Sequence, residues 1–568
     1  MANTENMAAE YQQRVQNADY SNPTVLIIGA GISGICMAID LIRRHNCHNF
    51  IIVEKSSYVG GTWGDNRYPG SRCDVWSHLY SYSFEASDWT REFSSQKEIH
   101  TYLVRTAQKW GLYEYIRFNT IVEEARWSDR FSKWETAVRV SSGSKDAETT
   151  NSYTITSDFL VSAVGQLNSP YYPEIPGINN FEGKILHSAR WDWNHKTERK
   201  KIAVIGSGAT AAQLIPEVAK DAKNVTVFQR TPNWVIPRED ADIPQWRRNL
   251  YRYVPGARRR YRAELMDIRE SALFDAIVTN DENGKELLRT MSLDLMKRQI
   301  QNNPKLIENL TPDYPPGCKR VIISDDLFSA LDQPHVALET EKINFITSDS
   351  ITTENNEYKV DMIVLATGFR TIEFLYPIKV YGLEGRSIQD IWQGGARAYL
   401  GMTVESLPNF AMLYGPNTNL GHNSIILMIE AQSRYISEIV KKVCEAKAQN
   451  ESLAISPSQQ TVQLFNEKIQ EKLLKSTYAN PTCKSWYKME DGLITNNWSG
   501  TVIEYQKLTS VIRWTDYLVS GSYAKTLTDS NTSHVGRVVE ETMIGRFGMN
   551  VLFVALSSTA FFVWRHLR

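Results

Sequence analysis

The stretch that decides the fold is TVLIIGAGISGICMAIDLIRR, Thr24 to Arg44. It opens with a β-branched run typical of a buried strand and continues with the apolar spacing of a helix. Between them stand Gly29, Gly31 and Gly34 at G-x-G-x-x-G spacing, which lets backbone approach a pyrophosphate at the helix N-terminus. The following strand, NFIIVEKS, carries Glu54 where an acidic residue accepts hydrogen bonds from a ribose. We therefore predict an FAD-type dinucleotide unit, since strand, glycine turn, helix and acid occur in order.

A second unit of this kind is KKIAVIGSGATAAQLIPEVAK, residues 200–220, whose third motif position is Ala211. Its next strand ends with Arg230, where the first unit has Glu54. A guanidinium matches a 2′-phosphate in charge and geometry, so this unit is predicted to bind NADP, although an arginine at a strand end can also be a plain surface residue. The predicted contacts are Gly206, Ser207, Gly208, Ala209, Thr210, Arg230 and Thr231.

Composition excludes several classes of function. The chain has 568 residues and is 42% hydrophobic, enough for two or more domains with their own cores. Lys and Arg number 63 against 64 Asp and Glu, so no global basic field favours nucleic acid, and a small-molecule partner is expected. The six cysteines show no C-x-x-C spacing, which is typical of a protein kept reduced in the cytosol and predicts no metal site.

Two dinucleotide units, one for FAD and one for NADPH, indicate a flavoprotein that takes hydride from a nicotinamide. A disulfide reductase would need a close redox-active cysteine pair, and the smallest cysteine spacing, Cys36 to Cys47, does not supply one. We therefore expect molecular oxygen to be the acceptor.

The linker between the units, FEGKILHSARWDW, fits F-x-G-x-x-x-H-x-x-x-W-D through Phe181, Gly183, His187, Trp191 and Asp192. This pattern resembles the fingerprint of Baeyer–Villiger monooxygenases, FAD- and NADPH-dependent enzymes that insert an oxygen atom beside a ketone carbonyl. The histidine can be a hydrogen-bonded structural residue or a coupling between moving domains, and the tryptophan can be a packing residue. The resemblance spans about residues 22 to 518.

Two further segments carry the resemblance. GGTWGDNRYPGSRCD, residues 60–74, looks like the second signature of that family, and PPGCKRVIISDDL, residues 315–327, holds its Lys-Arg pair as Lys319 and Arg320. The resemblance implies that the lysine contacts the NADP 2′-phosphate and that the arginine, paired with Asp74, reaches the reactive face of the flavin. A Gly-Tyr-Tyr cluster common after that arginine is missing, which leaves the substrate pocket undefined. The further implied FAD contacts are Gly61, Thr62, Trp63 and Tyr80.

The implied reaction proceeds through a C4a-peroxyflavin that attacks a ketone, with Arg320 and Asp74 stabilising the anions and with water excluded. The same chemistry in protonated form would oxygenate nitrogen or sulfur, which is the alternative enzymatic hypothesis. A third hypothesis is a membrane-anchored flavoprotein that binds cofactor without catalysis.

The predicted fold class is α/β, with two Rossmann-like domains, a helical insertion and an apolar C-terminal tail helix. The FAD domain comprises 21–170 and 366–525, where the LATGF segment, residues 365–369, is similar to the family's return into that domain. The NADP domain, 171–365, contains the insertion, 235–315, whose arginines are expected to form a solvated face. The remaining segments are a polar N-terminal arm (1–20) without a secretory leader, a polar linker (526–546), and an 18-residue uncharged stretch (547–564) expected to anchor a cytosol-facing enzyme in a membrane.

Overall fold

The computed structural model describes residues 23–141, 152–482, 485–528 and 531–539. Its strands are β1 Val25–Ile28, β2 Phe50–Val53, β3 Ile116–Arg117, β4 Thr120–Ser128, β5 Lys133–Val140, β6 Ser152–Ser157, β7 Phe159–Ser162, β8 Lys184–His187, β9 Lys201–Ile205, β10 Asn224–Phe228, β11 Val235–Ile236, β12 Ile322–Ile323, β13 Val336–Glu339, β14 Phe345–Ile346, β15 Ser350–Thr352, β16 Glu357–Lys359, β17 Met362–Leu365, β18 Lys379–Tyr381, β19 Phe410–Met412, β20 Ala454–Pro457, β21 Val511–Arg513, β22 Tyr517–Ser520 and β23 Thr532–His534. Its helices are α1 Ile32–His45, α2 Thr62–Asp65, α3 Gln96–Lys109, α4 Ala209–Ala219, α5 Gln245–Tyr253, α6 Ala257–Glu270, α7 Ala272–Ile277, α8 Glu282–Gln299, α9 Leu306–Leu310, α10 Leu327–Leu331, α11 Ile388–Ile391, α12 Ile425–Ala448, α13 Gln459–Leu473, α14 Val502–Leu508 and α15 Ala524–Thr528.

The first glycine motif lies in a five-stranded parallel sheet of order β19-β7-β1-β2-β3. The strands VLII and FIIV are buried at every position, as expected when both faces of a parallel sheet are covered. The glycine turn leaves the carboxyl end of β1 and starts α1. Ligands of parallel α/β sheets bind at this edge.

The second glycine motif lies in a separate parallel sheet of order β13-β10-β9-β17-β8. Its central strand β9 leads through the turn into α4, which repeats the arrangement of the first unit. The predicted α/β fold with two parallel sheets is therefore confirmed.

The chain crosses between the two sheets twice, after β7 and after β17, and the two crossings pair with each other. The Tyr171 amide donates to the Gly368 carbonyl at 2.9 Å, and the Arg370 amide donates to the Ser169 carbonyl at 3.0 Å. The two crossings thus form a short antiparallel ladder between the sheets.

The insertion contains helices α5 to α9, and its expected solvated arginine face is found only in part, since Arg252 and Arg259 are exposed. Arg262 and Arg269 are buried, and Arg248 makes a bidentate contact with Asp88 at 2.6 and 2.9 Å. Arg247 forms an ion pair with Glu92, which is a second link between the insertion and the first unit. Periodicity along one helix cannot show acidic partners that lie 160 residues earlier in the chain.

The expected polar linker, 526–546, instead contains the end of α15 and strand β23 within its described residues, 526–528 and 531–539. Strand β23 pairs antiparallel with β21. Leu527 and Val535 are buried in the apolar core that contains β1 and α1 of the first unit. The N-terminal arm and the apolar stretch 547–564 lie outside the described residues. Within the described residues, no helix is both long and apolar enough to cross a membrane.

The cysteines partly depart from the reduced state expected of them. Cys36, Cys47, Cys73 and Cys444 are free, whereas Cys318 is disulfide-bonded. Tertiary folding brings cysteines together in ways that spacing along the sequence does not reveal. In the described part of the chain, no group of three His, Cys, Asp or Glu side chains could hold a metal ion.

Candidate cofactor and catalytic site

The first glycine loop presents free backbone amides at the N-terminus of α1. Helix α1 starts after Gly31 without a side-chain cap, so its first N–H groups are available to an anion. A side chain at Gly34 would overlap the Gly29 carbonyl, because helix and strand approach closely here. A second glycine turn meets the loop: a Cβ at Gly61 would lie 3.0 Å from the Gly31 Cα. This cradle fits the pyrophosphate of FAD.

Glu54 lies at the end of β2, where its buried carboxylate accepts the Ala30 and Ser56 amides at 2.8 Å each. Burial raises the pKa of Glu54, and these two backbone hydrogen bonds oppose that rise. Each carboxylate oxygen retains a lone pair, so the group is oriented and can still accept hydrogen bonds from ribose hydroxyls.

The second signature joins the two units. Thr62 begins α2, and the buried Trp63 indole donates to the Tyr80 hydroxyl at 3.1 Å. Farther along, the Tyr68 hydroxyl donates to the side chain of Gln213 in α4 at 2.9 Å. A side chain at Gly70 would overlap the Gln213 carbonyl, so this turn packs directly on the helix of the second unit. The signature therefore places Asp74 close to both units.

The second glycine loop is open to solvent. Gly208 and Ala209 are exposed at the N-terminus of α4, which has no side-chain cap. A Cβ at Gly208 would meet no atom within 4 Å, and Thr210 follows in the first turn of the helix. Ser207 donates its hydroxyl to the Thr231 carbonyl at 2.8 Å, which ties the loop to the end of β10.

Arg230 and Lys319 form a cationic site beside this loop. Arg230 is exposed, and neither cation has an ion-pair partner among the described residues. The Lys319 ammonium lies 4.5 Å from the ring centre of Tyr314. Burial lowers the pKa of Lys319, and the nearby charge of Arg230 lowers it further. Two neighbouring unpaired cations fit the 2′-phosphate of NADP.

Arg320 turns the other way and pairs with Asp74. Its Nη2 and Nε lie 2.7 and 2.9 Å from the same carboxylate oxygen, and Nη1 donates to the Leu420 carbonyl at 3.2 Å. Burial would raise the pKa of Asp74, but the charge and hydrogen bonds of Arg320 hold it below its usual value. The carboxylate in return raises the pKa of Arg320 against the effect of burial. Both groups are therefore charged.

The sequence did not reveal several further residues around this pair. Arg269, at the end of α6, donates to the Asp74 carbonyl at 3.3 Å and stacks over Trp76 at 4.6 Å. Two buried tyrosines, Tyr478 and Tyr487, and the half-buried Tyr414 also lie near Arg320, whose charge opposes the rise that burial causes in the pKa of each. They come from distant segments of the chain. They supply tyrosines near Arg320 although the Gly-Tyr-Tyr cluster expected just after it in sequence is missing. No local sequence signal could have identified them.

The fingerprint residues lie at the second unit and at the crossings between the two units. Phe181 is buried, and a Cβ at Gly183 would lie 2.6 Å from the Asp361 carbonyl. His187 ends β8; its Nδ1 accepts the Ala189 amide at 3.1 Å, so the proton is on Nε2, 3.3 Å from the Thr367 hydroxyl. Burial lowers the pKa of His187 to about 4.

The last two fingerprint residues are less enclosed. Trp191 is partly buried against the apolar core of the second unit and lies edge-on to Trp193, with ring centres 6.2 Å apart. Asp192 accepts the Asn194 amide at 3.0 Å and lies 2.8 Å from His195 Nδ1. These contacts stabilise the local turn after β8.

Several buried polar atoms near the pair have no hydrogen-bond partner among the described residues: Arg269 Nε, His422 Nδ1 and the Tyr487 hydroxyl. Buried polar groups in folded proteins are nearly always satisfied, so a bound polar group would complete them. The two amide cradles fit a site for two dinucleotides.

Comparison with known proteins identifies the family of the chain. The flavin-binding monooxygenase-like family model matches residues 22–481. The chain is 48% identical to the FAD-binding monooxygenase ktnD of Aspergillus niger over 98% of this chain and 91% of that protein. It is 35% identical to a Baeyer–Villiger monooxygenase of Streptomyces coelicolor over 87% of this chain and 92% of that one. The structure of oxidized steroid monooxygenase bound to NADP superposes with a TM-score of 0.75 at 25% identity, covering 90% of this chain and 99% of that one. The chain therefore belongs to the flavin-binding monooxygenase-like family, close to its Baeyer–Villiger monooxygenases.

Proposed function

We propose that this chain uses FAD and NADPH to insert one atom of O₂ beside the carbonyl of a bulky apolar ketone, giving an ester or lactone. The observation that carries the proposal is the placement of two adjacent side chains. Lys319 lies by Arg230 at the second dinucleotide unit, and Arg320 pairs with Asp74 beside the first. One dipeptide would thus connect the site for the NADP 2′-phosphate with the oxygenating site.

Each cofactor has residues suited to hold it. The α1 amides and Glu54 would bind FAD, while the α4 amides, Arg230, Thr231 and Lys319 would bind NADPH. Bound FAD supplies the activation of molecular oxygen, using reducing equivalents that NADPH delivers as hydride. The protein provides binding, orientation and electrostatics.

Arg320 provides the electrostatic part of the mechanism. Its guanidinium is fixed by Asp74 and Leu420, so it needs no reorganisation when negative charge develops on oxygen. Asp74 keeps the arginine oriented without leaving a charge uncompensated. The reaction requires the exclusion of water, to which the buried Tyr478 and Tyr487 would contribute.

The ketone class follows from less direct support. The similarity to a steroid monooxygenase favours a bulky apolar substrate. The apolar stretch 547–564, which we propose as a membrane anchor on its sequence, would suit the same class. We propose that the enzyme faces the cytosol from that membrane.

The test is a product assay of one purified preparation with a steroid ketone, a cyclic ketone, a thioether and an amine. Ester or lactone formation with NADPH consumption is expected. Sulfoxide or N-oxide as the only products would favour heteroatom oxygenation instead. If NADPH fails to bleach the flavin spectrum, the chain is a cofactor-binding protein without catalysis.

A further inference from the structure

The end of insertion helix α6 lies beside the Asp74–Arg320 pair. The side chains of its last two residues, Arg269 and Glu270, are buried, and both contact the loop 420–424. Arg269 donates from Nη1 to the His422 carbonyl at 2.9 Å and from Nη2 to the Asp74 carbonyl at 3.3 Å. One guanidinium therefore bridges the segment that carries Asp74 and the loop 420–424.

Glu270 holds the same loop by accepting hydrogen bonds from two of its side chains. One carboxylate oxygen accepts His422 Nε2 at 3.1 Å and Asn423 Nδ2 at 2.6 Å. The other accepts the Ile503 amide, near the start of α14, at 3.1 Å. The carboxylate thus uses both oxygens to join the loop to a third segment.

The loop 420–424 matters because it also holds Arg320. The Leu420 carbonyl accepts Arg320 Nη1, so a shift of the loop would move the guanidinium relative to Asp74. Asp74 itself is held at its backbone by Arg269 and at its side chain by Arg320. The contacts close a ring through Asp74, Arg320, Leu420, His422 and Arg269.

We infer that Arg269 and Glu270 are positioning residues, through which the insertion fixes the Asp74–Arg320 pair for oxygen transfer. The inference rests on the proposed function, since it concerns the same reaction. Neither residue needs to touch the substrate. Sub-ångström placement of an electrostatic group decides its effect on a developing charge, and a loosened pair stabilises that charge less well.

The charge of Arg269 and its bridge can be separated by substitution. Arg269→Met keeps the length and burial of the side chain and removes both the charge and the bridge. Arg269→Lys keeps the charge, but an ammonium lacks the planar fork that reaches two carbonyls on different segments. Glu270→Gln removes the charge and replaces one acceptor oxygen by an NH₂ donor, so it cannot accept both from the loop and from Ile503. The matched control is Arg260→Met, which breaks an exposed pair with Glu264 (3.0 Å) on the same helix.

The FAD-loaded full chain is compared in two measurements: product and H₂O₂ formed per NADPH, and amide hydrogen exchange of residues 420–424 and 502–504. Arg269→Met and Arg269→Lys should lower product per NADPH about tenfold, with H₂O₂ rising to match, while the NADPH dissociation constant changes less than about twofold. Exchange in both segments should rise about tenfold in Glu270→Gln and in the loop in Arg269→Met, and should be unchanged in Arg260→Met.

Normal coupling in Arg269→Met, full restoration by Arg269→Lys, or unchanged exchange would each overturn the inference. A merely structural role would lower flavin content or stability without shifting the division between product and H₂O₂. If the wild-type enzyme makes no ester from any ketone, the proposed function fails, and the exchange data still decide whether Arg269 and Glu270 hold the loop.

Discussion

Replacing Arg320 by alanine removes the group on which the proposed chemistry depends most. The guanidinium makes two contacts to one Asp74 oxygen and one to the Leu420 carbonyl, and all three would be lost. The pair is about a quarter exposed, at 24% and 29% for the two side chains. We therefore expect a stability loss of about 2 kcal/mol, below the 3–5 kcal/mol of a fully buried pair.

The catalytic effect should exceed the effect on folding. Loss of one preorganised electrostatic group at a developing oxyanion costs about 10²-fold or more in rate, about 2.7 kcal/mol. FAD should still bind, because the glycine loop and Glu54 do not contact Arg320. Most NADPH consumed should then appear as H₂O₂ instead of oxygenated product.

The assay measures product, H₂O₂ and NADPH in the same reaction, with flavin content measured beforehand. Arg139→Ala is the control, because Arg139 on β5 forms a solvent-accessible pair with Glu123 on β4 at 2.7 Å. Its loss should leave the product formed per NADPH unchanged. Product per NADPH close to that of the wild type in Arg320→Ala would refute the reasoning and move the catalytic cation elsewhere.

Three further predictions follow from the cofactor site, the tail and a buried histidine. Replacing Arg230 and Lys319 by alanine should reduce the preference for NADPH over NADH, measured as the ratio of kcat/KM values, by about tenfold or more; an unchanged ratio would place the 2′-phosphate elsewhere. Deleting residues 540–568 should release the chain from membranes in a fractionation assay while FAD remains bound, and loss of flavin would mean that the segment is packed structure. Since the pKa of His187 is about 4 when folded and about 6.5 when unfolded, its contribution to stability is complete above pH 6.5 and is lost as pH falls towards 4. Urea unfolding of His187→Gln should therefore show a smaller loss of stability over that interval than the wild type, and equal losses would contradict the assignment.

Features that depend on neighbouring residues could be predicted from the sequence. The glycine loops and Glu54 were found because a strand, a turn and a helix occur within about 30 residues, and this local order determines the backbone geometry. The pairing of Asp74 with Arg320 spans 246 residues and was predicted only from the resemblance to a family. Nothing in the local sequence at either position indicates the other.

The role of the insertion could not be predicted for the same reason. A run of arginines at helical spacing indicates a solvated face unless acids from elsewhere meet it, and Asp88 and Glu92 come from the first unit. Arg269 is one arginine among many in that run, and its buried position depends on how α6 packs. The burial of Leu527 and Val535 likewise depends on packing partners that are distant in sequence.

The paired crossings between the sheets have a consequence for the way such chains can be rebuilt. The chain leaves and re-enters the first unit at adjacent points, because the Tyr171 amide donates to the Gly368 carbonyl at 2.9 Å. The two ends of the second unit therefore lie side by side. Inserts whose ends lie close together are the ones that a host domain tolerates. A homologous segment grafted between residues 169 and 370 would therefore keep the first unit uninterrupted, but it would have to carry equivalents of Arg269, Glu270 and Arg320, whose contacts reach into that unit.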